Sequence, residues 1–289
     1  MKLILIHGRA QQGKDPVALQ REWEEAWDHG LHDVGLRRPA GLEVSFPFYG
    51  DLLDDLIRHN EAPLLVDVIT RGELPDEPTV RTEVELLLEM TGPANITPEI
   101  IQRELEPGDP MERGFENTAW VRAAARLLDR TPLGFPTISR VTHDVAVYLA
   151  NPGIRSRIDR IVSDYLSDGP HVIVGHSLGT VVAYNVLATN RKPISVPRFV
   201  TLGSPLGYDA VRNKIEWPIA MPRYTASWFN ARDPRDIVAG FTLDPQRFPI
   251  EPTIENKFDV DNDPDNPHDI GGYLRDKTVA TRIWEAVSS

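Results

Sequence analysis

The sequence predicts an α/β fold built on a mainly parallel sheet. Short apolar runs rich in branched residues recur along the chain, amphipathic stretches at helical spacing lie between them, and turn residues close the runs. The 289 residues, 41% of them hydrophobic and 26% charged, suffice for a large core in one domain, which excludes overall disorder. We read residues 1–289 as a single domain.

The elements follow in order. Residues 3–6, Leu-Ile-Leu-Ile, form a buried strand closed by His7-Gly8, and this run is too short for the core of a signal peptide. Pro16 opens a first helix over 16–28, with Leu19, Trp23 and Trp27 on one face and Gly30 near its end. Residues 42–49 alternate Val44, Phe46 and Phe48 and read as a second strand, weakened by Pro47. Residues 51–135 are amphipathic and helical, with Pro-rich breaks, and read as a helical insertion that could serve as a cap. The alternating rhythm then returns: helices over 141–149 and 154–166, a strand over 171–174, a helix over 178–189, strands over 198–202 and 224–229, and a closing helix over 273–287.

Composition narrows the chemistry. With 31 basic against 43 acidic residues, the net charge of −12 argues against a phosphate-backbone binder, so nucleic acid is not an expected partner. The absence of cysteine excludes a thiol nucleophile, a disulfide scaffold and a thiolate metal site. No run of about 18 apolar residues offers a spanning helix, so stable membrane insertion is not expected, and the expected location is cytoplasmic.

The sharpest feature is Gly175-His176-Ser177-Leu178-Gly179, a G-x-S-x-G between a strand and a helix. A serine there projects its hydroxyl from the sheet edge, beside the N–H groups of a helix N-terminus. A serine needs a base, and the base needs an orienting acid. Downstream stand Asp233 and Asp236, after the strand over 224–229, and His268, before the last helix, in the order Ser…Asp…His. His143 and His171 precede the serine and read as structural, and His176 shapes the turn.

These pieces resemble the α/β-hydrolase superfamily, in its esterase- and lipase-like branches. The likeness rests on the opening strand with His7-Gly8, the Gly175–Gly179 motif, Thr201-Leu202-Gly203-Ser204-Pro205, Asp236-Ile237-Val238 and the late His268, and spans most of the chain outside the helical insertion. Many members insert their cap after a later strand, whereas here the helical block precedes the elbow strand. The resemblance implies an α/β-hydrolase fold and a serine hydrolase that cleaves a small-molecule carboxylic ester through an acyl-enzyme, without metal or cofactor. It assigns Ser177 as nucleophile, His268 as base and then acid, Asp236 as the orienting acid with Asp233 as the alternative, and the N–H groups of Leu178 and of Arg9, or else Ala10, as the oxyanion hole. A thioester or amide would use the same machinery. A protein of another class, a non-catalytic binding or signalling protein on a hydrolase fold, would keep the sequence without the working geometry. The helical insertion could also serve as a dimer face.

Two other motifs compete. Gly8-Arg9-Ala10-Gln11-Gln12-Gly13-Lys14-Asp15 nearly matches a phosphate-binding loop, but Asp15 stands where Mg²⁺ requires Ser or Thr. Asp259-Val260-Asp261-Asn262-Asp263-Pro264-Asp265 echoes a Ca²⁺ loop, but Pro264 replaces the turn glycine and Ile270 stands at the bidentate Glu position. We read the first as the oxyanion loop and the second as a solvated acidic loop.

Overall fold

The computed structural model describes residues 1–8, 11–59, 64–65, 67–68, 77–112 and 117–289. Six parallel strands form one sheet in the order β2-β1-β3-β4-β5-β6, where β1 is Lys2–Ile6, β2 Glu43–Ser45, β3 Pro170–His176, β4 Ser195–Leu202, β5 Trp228–Ala231 and β6 Glu255–Lys257. Helices cover both faces, because every strand after the first is reached by a crossover.

The two-residue period of a strand sorts the core into two layers. Leu3, Leu5, Val172, Val174, Val200, Leu202, Phe229 and Ala231 point to one face, where they meet Leu19, Trp23 and Trp27 of the Pro16–His32 helix and Val279 and Ile283 of the Lys277–Ser288 helix. Ile4, Ile6, Ile173, Phe199 and Trp228 point to the other. That second layer holds the helices Gly50–His59, Pro78–Met90, Pro98–Arg103, Thr118–Leu128, Gly134–Ala150, Pro152–Ser163 and Leu178–Thr189. The apolar faces of the predicted helical block therefore belong to the main core on that side of the sheet.

Several boundaries differ from the sequence expectation. The second strand is Glu43–Ser45 rather than 42–49, since Pro47 has no N–H to offer the ladder and the Tyr49 N–H goes to His7 Nε2 at 3.1 Å. The fifth strand begins at Trp228, with only an isolated bridge from Thr225 to Val196 before it. Between Ser195 and Arg198, β4 takes one more residue than β3, which displaces the register there. The closing helix is two helices, Ile270–Arg275 and Lys277–Ser288, because Asp276 is extended and its carboxylate accepts the N–H groups of Thr278 and Val279. The first helix runs to His32, past Gly30, whose bare Cα lets it cross Leu274 and Ala280 closely: a Cβ at Gly30 would lie 2.8 Å from Ala280 Cβ. The edge strand β6, Glu-Asn-Lys, has no apolar residue to announce it.

The order of the strands fixes where a ligand can sit. The chain leaves β1 toward one face through the Pro16–His32 helix and leaves β3 toward the other through the Leu178–Thr189 helix. The connections that leave their carboxyl ends therefore turn to opposite faces of the sheet, and such a switch point is where open α/β sheets bind ligands.

Candidate functional site

Ser177 stands at that switch point, between the end of β3 and the Leu178–Thr189 helix. Its φ of 54° and ψ of −129° lie in territory that favours glycine. The conformation is enforced from both sides: the Ser177 N–H still bonds Leu202 O at 3.1 Å as the strand would require, and Thr180 N returns to Ser177 O at 2.9 Å to start the helix. Three glycines permit the turn. A Cβ on Gly175 would lie 2.8 Å from Gly179 O, one on Gly179 would lie 2.3 Å from Ile6 O, and one on Gly8 would lie 2.8 Å from Ser177 Cβ.

The structure brings together residues that lie 91 and 32 positions apart. His268 Nε2 is 2.9 Å from Ser177 Oγ, and His268 Nδ1 is 2.7 Å from Asp236 Oδ2. A carboxylate can only accept, so Nδ1 carries the proton and Nε2 is left to accept from the serine hydroxyl. Asp236 is fully buried, and its other oxygen, Oδ1, accepts the N–H groups of Val238 at 2.9 Å and Ala239 at 3.3 Å. Asp233 is also buried but turns elsewhere: it takes Arg235 Nη2 at 2.7 Å and the Asn262 N–H at 2.8 Å. Burial would push the Asp233 carboxyl up, but those bonds together hold it below the usual carboxylate range. Of the two aspartates considered from sequence, Asp236 is the one against the imidazole.

Asn262 and His176, which the sequence reading gave other roles, hold the histidine loop. The Asn262 side-chain amide donates to Pro267 O at 3.2 Å and Asp269 O at 2.6 Å. His176 Nε2 donates to His268 O at 3.0 Å, so three consecutive carbonyls are pinned by side chains. Burial, and then the neighbouring His268 ring, push the His176 ring well below the usual histidine range, which keeps it neutral. Gly203, at φ 57°, passes beneath both rings; a Cβ there would lie 3.1 Å from His268 Cε1. The acidic-loop reading that covered Asn262 gave no sign of this role, whose partners lie across a turn.

Leu178 opens the helix after the serine, where the first N–H groups have no preceding turn to bond. Arg9 and Ala10, the other oxyanion candidates, lie outside the described residues. Next to them, His7 is packed between Phe46, Phe48 and Tyr49. Its Nε2 accepts the Tyr49 N–H, so Nδ1 carries the proton and donates to Gly8 O at 2.6 Å. The Tyr49 hydroxyl donates to His7 O. Burial lowers the His7 pKa to about 4. Unfolding releases the ring to its ordinary value near 6.5, so the unfolded chain binds the extra proton between pH 6.5 and 4 and stability falls as pH falls through that window. We expect His7 to account for a loss on the order of 3 kcal/mol across it. Denaturant titrations at pH 7 and pH 4.5 should show a shallower pH dependence in His7→Gln than in the native protein; equal dependences would contradict this account.

The competing motifs resolve into structural roles. Asp15 caps the Pro16–His32 helix by accepting the Val17 N–H at 2.9 Å, so a carboxylate already occupies that helix N-terminus. In the acidic loop, Asp259 pairs with Lys257 at 2.8 Å, Asp261 pairs with Arg235 at 2.9 Å, and Asp263 accepts the Asp265 N–H at 2.9 Å. Among the described residues no group of three or more His, Cys, Asp or Glu side chains is arranged to hold a metal ion, and no helix is long and apolar enough to cross a membrane. His143 is paired with Glu83 at 3.0 Å within the helical layer, and His171 Nε2 bonds Ser167 O at 2.9 Å, so neither rival histidine is in the Ser177 network. Comparison with protein-family models, with curated proteins and with solved structures found no match to the chain.

Proposed function

We propose that the protein is a serine hydrolase of the α/β-hydrolase type that cleaves a carboxylic ester through an acyl-enzyme. One observation carries the reading: the continuous hydrogen-bonded chain Ser177 Oγ, His268 Nε2, His268 Nδ1 and Asp236 Oδ2, at 2.9 and 2.7 Å, on a serine held at positive φ. The strand–turn–helix setting of Gly175–Gly179 at the switch point of the sheet supports it.

In this mechanism Ser177 Oγ attacks the ester carbonyl carbon and its proton passes to His268 Nε2. The carbonyl oxygen becomes an oxyanion that the Leu178 N–H stabilises, with a second donor from the Arg9 or Ala10 backbone. Collapse breaks the bond to the alcohol oxygen, which leaves with the proton from His268. Water then attacks the acyl-serine carbonyl, gives a proton to His268, and collapse releases the acid and restores Ser177. Asp236 keeps the imidazole in the tautomer each half requires and stabilises the imidazolium between them. The buried, doubly N–H-bonded Asp236 suits that role, since its orientation is fixed before substrate arrives. The described helices between residues 51 and 135, whose apolar faces pack in the core on one side of the sheet, are the candidate cover for the acyl group.

The test is labelling with a fluorophosphonate probe, read by mass spectrometry of the modified peptide. We expect modification of Ser177, absent in Ser177→Ala and lost in His268→Gln, followed by turnover within a panel of esters, thioesters and amides. A folded native protein that neither labels nor turns over any of them would overturn the proposal.

The two aspartates give a separate prediction. Asp236→Asn should lower kcat about 10³- to 10⁴-fold with the fold intact, because an amide in that place favours the wrong imidazole tautomer. Asp233→Asn should chiefly lower the melting temperature, by breaking the bond to the Arg235 guanidinium. The reverse pattern would reassign the acid.

A further inference from the structure

Tyr273 lies five residues after His268, on the Ile270–Arg275 helix, and is fully buried. Its hydroxyl donates to Asp236 Oδ2 at 2.7 Å and accepts the Asp233 N–H at 3.0 Å. Oδ2 is the same oxygen that faces His268 Nδ1. Asp236 thus accepts four hydrogen bonds, two on each oxygen, and the phenol shares one oxygen with the imidazole.

We infer that Tyr273 is a positioning residue that sets both the orientation and the basicity of Asp236, and through it the readiness of His268 to take the Ser177 proton. This rests on the Ser177–His268–Asp236 reading above. The phenol draws electron density from the carboxylate, so Asp236 holds the imidazolium less tightly than it would with His268 as its only partner on Oδ2. The His268 ring still finds Asp236 correctly turned. The fold is arranged to deliver that hydroxyl: the Asp233 N–H fixes the phenol oxygen from the other side, and the Asp269 carboxylate accepts the Gly272 N–H at 3.0 Å to start the helix that carries the ring.

Other titratable groups face this cluster. His176 lies 4.7 Å from the His268 ring, centroid to centroid, and donates to its carbonyl. Asp233 is occupied by Arg235. Tyr208 donates to Ile237 O, one residue from Asp236. Among these four groups, only Tyr273 meets the Asp236 carboxylate through its side chain.

The test is Tyr273→Phe, which keeps the ring and removes the hydroxyl. Its readouts are the pH dependence of kcat/KM on p-nitrophenyl acetate and the titration of the His268 Cε1–H signal by NMR, assigned through His268→Gln. With the phenol gone the carboxylate becomes more basic, so both the ring titration and the acid limb of the rate profile should move up, by roughly half to one pH unit. kcat near neutral pH should fall about tenfold with KM nearly unchanged. A folded variant whose ring titration does not move would reduce Tyr273 to a packing residue and overturn the inference. If Phe prevents folding, 3-fluorotyrosine placed at Tyr273, a stronger donor, should move the ring titration down, and no movement would again overturn it. Because the ring titration needs no turnover, its result stands apart from the test of hydrolysis.

Discussion

Ser177→Gly and Ser177→Ala should both abolish labelling and cut ester hydrolysis by about 10⁴-fold or more, yet the glycine variant should be the more stable of the two. Both lose the hydroxyl and its bond to His268 Nε2, so they differ only in the Cβ methyl group. In ordinary helix or strand, glycine costs about 0.5–1 kcal/mol relative to alanine. At φ 54° and ψ −129° the preference reverses, since a Cβ in such a conformation costs on the order of 1–3 kcal/mol. We expect glycine to exceed alanine in unfolding free energy by about 1 kcal/mol, measured by urea titration. An alanine variant as stable as glycine or more so would mean that the turn at Ser177 stores no strain. If the reversal holds, Ser177 is kept in an unfavourable conformation by its surroundings, at a cost in stability.

Gly179→Ala should be severely damaging, because the added methyl group meets backbone and not the end of a side chain. Its Cβ would sit 2.3 Å from Ile6 O and 2.5 Å from His7 O, both backbone atoms at the end of β1. Neither can move without breaking the parallel pairing of β1 with β3, which runs from Lys2 opposite His171 to Ile6 opposite Gly175. The helix would have to lift away from the sheet, and with it Ser177 from Gly8. We expect a loss of about 3 kcal/mol or more, or no soluble protein, and no labelling in whatever fraction folds. Gly153→Ala is the control: it also lies inside a helix, Pro152–Ser163, but nothing lies within 4 Å of its added Cβ. There alanine should stabilise by about 0.5–1 kcal/mol through helix propensity. Thermal melts of the two variants should move in opposite directions; if Gly179→Ala melts like the native protein, the close packing of helix on strand is not as described.

That contrast marks what the sequence could and could not carry. Local patterns exposed the apolar runs of β1, β3 and β4, the helix after Ser177, and the parallel α/β class, because burial on both faces leaves a continuous apolar signature within a few residues. They also exposed Ser177, whose turn needs small residues at fixed offsets, and the order Ser…Asp…His. They did not expose β6, a polar edge strand held by the backbone of β5, or the break at Asp276. The choice between Asp236 and Asp233 lay beyond them as well. Both are fully buried, three residues apart in one loop, and only the folded chain turns one toward His268 and the other toward Arg235.

The sequence by itself thus determined the α/β class, the turn at Ser177 and the set of groups that could meet it, since each depends on contacts among near neighbours. Only the tertiary structure decided which acid meets the histidine, that Tyr273 and Asn262 hold the pair in place, and which glycines are indispensable. Apart from the bonds of Asn262, which reach across a turn, those depend on hydrogen bonds and backbone approaches between segments tens of residues or more apart, where local sequence holds no record of the partner.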